Sequence, residues 1–395
     1  MRCRLFKLSH SLLFAGLMLS HAANAEDWQW HGFISQGLMQ SERSNFVNDT
    51  GKLSTELTEV GINTSYQLAS DWRFAGQLMY LDGGNRYKDG WRVDYLFLNR
   101  TLVNDLDWQL DLYLGRFKNV HWLYSSTRDV PVTRPMIVLP QTVYFDAFRD
   151  IAVGSDGALL KSTNNTRFGE IEVNWSYGST PVTKEMAQRV VATSVQGATE
   201  QDFVHQFSVY FRPQASQSQW GISLLDSDFN YKKAAVDYWF DGDFTVQRVM
   251  ANWRYSAQWW ELSSEIMQER VVVHGFYAPV FDRTVFAQGV FVLGSIELTP
   301  DTKLYLSHDY YVGNKDDRRG SLLPIQSGGM IKSYFGFQND TGIGLSQNLA
   351  EKLQIKLEYH YSDGTGRLGP NVVPDLAVNQ SRYHDLWAVQ LLYWF

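Results

Sequence analysis

Apolar and polar residues alternate along most of this chain in segments of about ten positions, each bounded by a polar turn. The last segment, WAVQLLYWF, is the clearest: Trp387, Val389, Leu391, Tyr393 and Phe395 are apolar at every second position, with Ala388 and Gln390 between them. A period of two belongs to a strand with one apolar face. An edge strand this hydrophobic would invite aggregation, and closing the sheet into a barrel removes the edge.

Sixteen such segments are predicted, starting with WQWHGFISQGLMQ and including WRFAGQLMYLD, WRVDYLFLNRTL, WQLDLYLGRF and WWELSSEIMQERVVV. Seven short polar turns, such as ASD, NDLD, SAQ and TPD, alternate with eight longer connections, so the two ends of the sheet differ. Trp72, Trp108, Trp220, Trp259 and Trp260 follow short turns, where indoles would form one girdle at a membrane-water boundary. A soluble sandwich could bury large aromatics too, but has no need of indoles repeated at strand starts. The expected class is all-β, a transmembrane antiparallel barrel of about 16 strands. No linker or composition break divides it.

Composition sharpens the setting. Arg2, Arg4 and Lys7 precede the apolar run LLFAGLML and the small-residue stretch HAANA, which reads as a signal peptide spanning residues 1–25. The apolar run is shorter than the roughly 20 residues a helical span needs. Residues 26–395 then form a single barrel domain. The one cysteine, Cys3, lies in the leader, so neither disulfides nor thiol chemistry is expected in the remainder. A net charge of −7, made more acidic by removing the basic leader, argues against nucleic-acid binding.

Three stretches, WHGFISQG, LYLGRFKN followed by a long connection, and the terminal VQLLYWF, resemble the Gram-negative outer-membrane porin superfamily. The resemblance implies a barrel of sixteen or eighteen strands in the outer membrane, in contact with lipid and lipopolysaccharide. It implies homotrimers and an inward-folded third external loop. It also implies that Trp387, Val389, Leu391, Tyr393 and Phe395 form the signal read by the barrel-insertion machinery.

The third long connection, residues 118–150, is unusually apolar. Met136, Ile137, Val138, Leu139, Val143, Tyr144, Phe145 and Phe148 call for burial, and Pro131, Pro135 and Pro140 stiffen the path. Docking against the inner wall would meet both demands and place Arg128, Asp129, Arg134, Asp146, Arg149 and Asp150 at or behind a constriction. A loop packed over a subunit interface is the alternative. Alternation puts Arg73, Arg92, Asp94, Arg100 and Asp111 on the lumen side of the early strands, with Val93, Tyr95 and Phe97 outside. On the eleventh strand it puts Glu261, Glu265 and Glu269 inside. Asp111 is joined as a lumen candidate by Glu170, Glu172, Lys356 and Glu358. An arginine wall facing a glutamate wall would set a transverse field across the pore, although a bulge reverses the parity of any single assignment.

Other patterns carry less. GTGRLG, at 364–369, fits a dinucleotide-loop spacing but opens no helix, so it reads as a flexible loop. The stretch from Asp226 lacks the glycine and glutamate of a calcium loop, the histidines show no zinc spacing, and His308 beside Asp309 reads as a strand pair at the rim. No metal or cofactor is expected. The expected function is passive diffusion of small hydrophilic solutes through a porin, without enzymatic activity. The alternative is a channel selective for sugars, organic acids or phosphate, with Trp122, Tyr124 and Tyr144 as an aromatic track. Barrel enzymes and adhesion or receptor barrels are the remaining classes.

Overall fold

The computed structural model describes residues 28–87, 89–146, 149, 154–190, 194–368 and 381–395. The leader, Phe148 and Asp150 of the long connection, and Gly369 and Pro370 lie outside the described residues.

Every alternating segment becomes a strand. In order they are β1 (Trp28–Glu42), β2 (Thr58–Ala69), β3 (Trp72–Asp82), β4 (Gly90–Asn104), β5 (Trp108–Lys118) and β6 (Gly154–Thr166). There follow β7 (Gly169–Ser179), β8 (Ala198–Pro213), β9 (Ser218–Lys232), β10 (Gly242–Ser256) and β11 (Trp260–Gly275). The last five are β12 (Asp282–Thr299), β13 (Thr302–Val312), β14 (Phe337–Ala350), β15 (Leu353–Gly364) and β16 (Tyr383–Trp394). Each pairs antiparallel with its chain neighbours, and β1 pairs with β16, closing the barrel. Phe395 completes the seam through backbone hydrogen bonds of 3.1 and 3.0 Å with Gly32. No described strand is left with an unpaired edge.

Short turns at 70–71, 105–107, 167–168, 214–217, 257–259, 300–301 and 351–352 occupy one end of the barrel, and the longer connections occupy the other. Trp108, Trp220 and Trp259 are exposed at the short-turn end, with Trp72 and Trp260 half-buried beside them.

Parity sorts the wall. On β16, Leu386, Ala388, Gln390 and Leu392 are buried, whereas Trp387, Leu391, Tyr393 and Phe395 are exposed. Ile34, Ile62, Leu78, Leu96, Leu114, Ile222, Ile266, Leu306 and Ile343 repeat that outward exposure from strand to strand. The result is an apolar belt far more continuous than a water-soluble surface carries. No described helix is long and apolar enough to cross a membrane.

One bulge overturns three of the parity assignments. Gln77 pairs with Tyr95, but its neighbour Leu78 pairs with Val93, so Asp94 is an extra residue in β4. Beyond it the faces exchange. Val93 stays outside, but Tyr95 and Phe97 turn inward with Asn99, and Leu96, Leu98 and Arg100 turn outward. Arg100 therefore leaves the lumen row. It lies 3.6 Å from Asp71 and 5.1 Å over the Trp72 ring, at the short-turn rim of the outer face.

Candidate functional site

The inner wall meets the 118–150 segment along most of its circumference. Ser208 on β8 and Ser223 on β9 donate to the carbonyls of Val120 and His121, each at 2.5 Å. Glu265 on β11 accepts from the Leu123 amide at 2.9 Å and the Tyr144 hydroxyl at 2.5 Å. Arg134 makes a two-pronged ion pair with Glu59 on β2, one prong at 3.0 Å. On β15, Glu358 accepts from the Ile137 and Val138 amides, and Lys356 donates to the Pro131 and Arg134 carbonyls at 2.8 and 2.6 Å.

Apolar contacts reinforce these bonds. Trp122, Met136, Leu139 and Tyr144 pack with Met250, Met267, Phe291 and Tyr311, while Ile137 and Val138 pack with Met39, Leu57 and Leu386. Every described member of the apolar set expected to need burial is buried. Arg367, beyond β15, adds a bond of 3.2 Å to the Thr142 carbonyl and lies 3.8 Å over the Tyr311 ring. Thr365, Arg367 and Leu368 are accordingly buried, so the described part of GTGRLG is packed and not a free loop.

This packing corrects the aromatic-track expectation and divides the roles that sequence left open for the charged residues of the segment. Trp122, Tyr124 and Tyr144 are wedged between the segment and the wall, so they form no open track. Arg128 pairs with Asp146, and Asp129 with Arg149 and Lys118, all of them buried. The Arg128–Asp146 and Arg149–Asp129 pairs brace the segment from within, Arg134 and Asp129 tie it to Glu59 and Lys118 on the wall, and Asp129 and Arg149 also border open space. Burial alone would raise the Asp129 carboxyl, but Arg149 and Lys118 outweigh it and hold it well below the ordinary carboxylate range. Burial, with Arg248 adding to it, pushes the His121 imidazole down to about 3.

The glutamate row is inside as expected, but it presents no bare negative wall. Glu261 lies 3.6 Å from Arg254, Glu269 is bonded by Arg248 at 2.8 Å, and Glu265 is committed to the 118–150 segment. Local neutralisation of this kind removes most of the long-range field the two opposed rows would have made. His308 and Asp309 do not pair either. His308 faces outward, 2.9 Å from Thr341, and Asp309 is buried inside.

Open space remains along β3 to β7. A cavity of about 560 Å3 towards the short-turn end is lined by Arg73, Tyr95, Tyr113, Lys161 and Arg212 together with Val120 and Leu123. A second, of about 510 Å3 at the long-connection rim, is lined by Leu81, Arg92, Asp94, Asp129 and Arg149 and also reaches the outward-facing Trp91, Val93 and Arg116. Lys118 borders both, clamped between Asp94 and Asp129. Asp111 is buried on the same wall, its oxygens held at 2.7 Å by Thr101 and Gln109. Of the remaining lumen candidates, Glu170 and Glu172 pair with Arg212. Sequence reasoning missed the roles of Glu59, Lys118, Arg248 and Arg254. For Glu59 the signal was present, because outward Val60 and Ile62 place it inside.

The closed sixteen-stranded antiparallel barrel is a fold shared with outer-membrane porins of known structure. Among solved structures the chain is similar to OprB of Pseudomonas putida, at 11% identity over 93% of this chain and 94% of that one, with a TM-score of 0.58. An anion-selective porin of Comamonas acidovorans matches at 11% identity, 93% and 99% coverage and a TM-score of 0.57. The trimer form of the outer-membrane protein OmpT of Vibrio cholerae matches at 12% identity, 93% and 99% coverage and 0.56. Identities this low establish the fold alone. No family model matches the chain, and no curated protein matches it in sequence.

Proposed function

We propose that this chain is an outer-membrane diffusion channel of a Gram-negative bacterium, exported by its leader and passing small hydrophilic solutes. The 118–150 segment folds into the lumen and narrows the passage to the β3–β7 side. The narrowest point lies at the Lys118, Asp94 and Asp129 clamp. One observation carries this reading: two cavities of about 560 and 510 Å3 follow the uncovered wall on either side of Lys118. The outward apolar belt supports placement in a bilayer, and the insertion signal is the outward row of β16 ending at Phe395. The trimer form of the Vibrio cholerae protein supports a homotrimeric assembly here.

Single-channel recording of refolded protein in planar bilayers tests the reading. Discrete ohmic steps in potassium chloride are expected, and a protein that inserts but never conducts overturns it.

A further inference from the structure

The larger cavity has a chemistry of its own. Its charged lining is Arg73, Lys118, Lys161, Arg212 and Arg254 against Glu172 alone. Four of the five cations already have carboxylates: Lys118 has Asp94 and Asp129, Lys161 has Glu172, Arg212 has Glu170 and Glu172, and Arg254 has Glu261. Arg73 has neither an ion pair nor a hydrogen bond among the described residues, and its side chain is exposed to the cavity. A guanidinium left open in this way presents a planar fork of donors that matches a carboxylate.

Beside it stands an aromatic wall. Tyr95 and Phe97 have ring centroids 5.6 Å apart, and Phe97 meets Tyr113 edge-on at 5.1 Å. All three line the same cavity as Arg73, and Phe97 pairs with Ala75, two residues along β3 from Arg73. The bulge at Asp94 is what turns Tyr95 and Phe97 inward. Without it both rings would face lipid, the comfortable place for Phe97. A bulge that moves an apolar ring into a charged, water-accessible chamber points to a ligand with a face to stack there.

We propose that Arg73 together with Tyr95, Phe97 and Tyr113 forms a binding station for aromatic carboxylates on the short-turn side of the Lys118 clamp. The carboxylate takes the guanidinium fork of Arg73, and the flat ring lies against Phe97 and its neighbours. Neutral rings lose the charged contact, and small aliphatic acids lose the stacking. The proposal rests on the channel reading for its access route but names the solute that the lumen prefers.

Benzoate is the probe, measured in two ways on the full-length refolded barrel. Saturation-transfer NMR in detergent reads binding without requiring conduction, and benzoate block of the chloride current reads the lumen. Benzoate is expected to bind and block at concentrations about tenfold below those of acetate or benzyl alcohol. Arg73→Gln is expected to raise the half-blocking concentration about tenfold and to lower the chloride-to-potassium permeability ratio. Arg73→Lys keeps that ratio but not the benzoate advantage, and Phe97→Leu brings benzoate towards acetate. Equal behaviour of benzoate and acetate in both measurements, or full benzoate binding by Arg73→Gln, overturns the station. Benzoate binding to a barrel that never conducts overturns the channel reading and leaves the station standing.

Discussion

Glu265 offers the sharpest test of how the 118–150 segment is held. It is fully buried on β11 and accepts hydrogen bonds from the Leu123 amide and the Tyr144 hydroxyl, which in turn accepts from the Tyr124 amide at 2.9 Å. Glu265→Ala removes the acceptor of two hydrogen bonds and leaves their donors buried without partners, at a cost of about 1.5–3 kcal/mol each. Docking of the segment is therefore expected to weaken by about 3–6 kcal/mol. Even the lower figure multiplies the undocked population about a hundredfold. The strand ladder between β10, β11 and β12 uses backbone groups and is untouched. Limited trypsinolysis in detergent, followed at Lys118 and Arg128, should accelerate by a similar factor, while the heat-modifiable mobility of the barrel stays as in the parent. Glu261→Gln on the same strand alters the contacts with Arg254 and Ser256, leaves the Leu123 and Tyr144 bonds to Glu265 in place, and serves as the control. Cleavage of Glu265→Ala at the parental rate would refute the reasoning that this carboxylate anchors the segment.

Three further outcomes are expected. Lys118→Ala removes the cation between Asp94 and Asp129, so single-channel conductance should rise by a factor of roughly two for a widened and locally more acidic passage; unchanged conductance would place the narrowest point elsewhere. Gly115 has φ +118, and a Cβ there would lie 2.5 Å from the Leu96 carbonyl oxygen, so Gly115→Ala should destabilise the barrel by about 1–3 kcal/mol in urea unfolding, and parental stability would contradict this. His121 has a folded pKa of about 3, below its ordinary value, so the segment's docking should be fully stable above pH 6.5 and weaken as pH falls from about 6.5 towards 3. His121→Gln should flatten that dependence between pH 4.5 and 6.5, followed by hydrogen–deuterium exchange of the segment's amides, and an unaltered pH profile would assign the acid sensitivity to other groups.

Much of this protein is legible in the sequence, because side-chain alternation in a strand is a local property. The strand number, the division into short turns and long connections, and the outward row Trp387, Leu391, Tyr393 and Phe395 all follow from period-two patterning and turn chemistry. The burial demanded by Met136, Ile137 and Val138 was equally plain, since an apolar run of that length has to leave water. Arg100, Tyr95 and Phe97 were misplaced because the bulge at Asp94 is one residue of register, and no local periodicity records which residue a partner strand skips.

The sequence by itself determined that the chain builds an apolar-skinned, polar-lined ring and that one long connection cannot remain in solvent. Only the tertiary structure decided which charges meet. Arg134 finds Glu59, Tyr144 finds Glu265 and Lys356 reaches the Pro131 carbonyl, because ring closure brings distant stretches of chain to the same depth of one lumen. Among the described residues, Arg73 is left as the cation of the larger cavity with neither an ion pair nor a hydrogen bond for the same reason. Pairing between side chains depends on distance in space, which alternation along one strand does not encode.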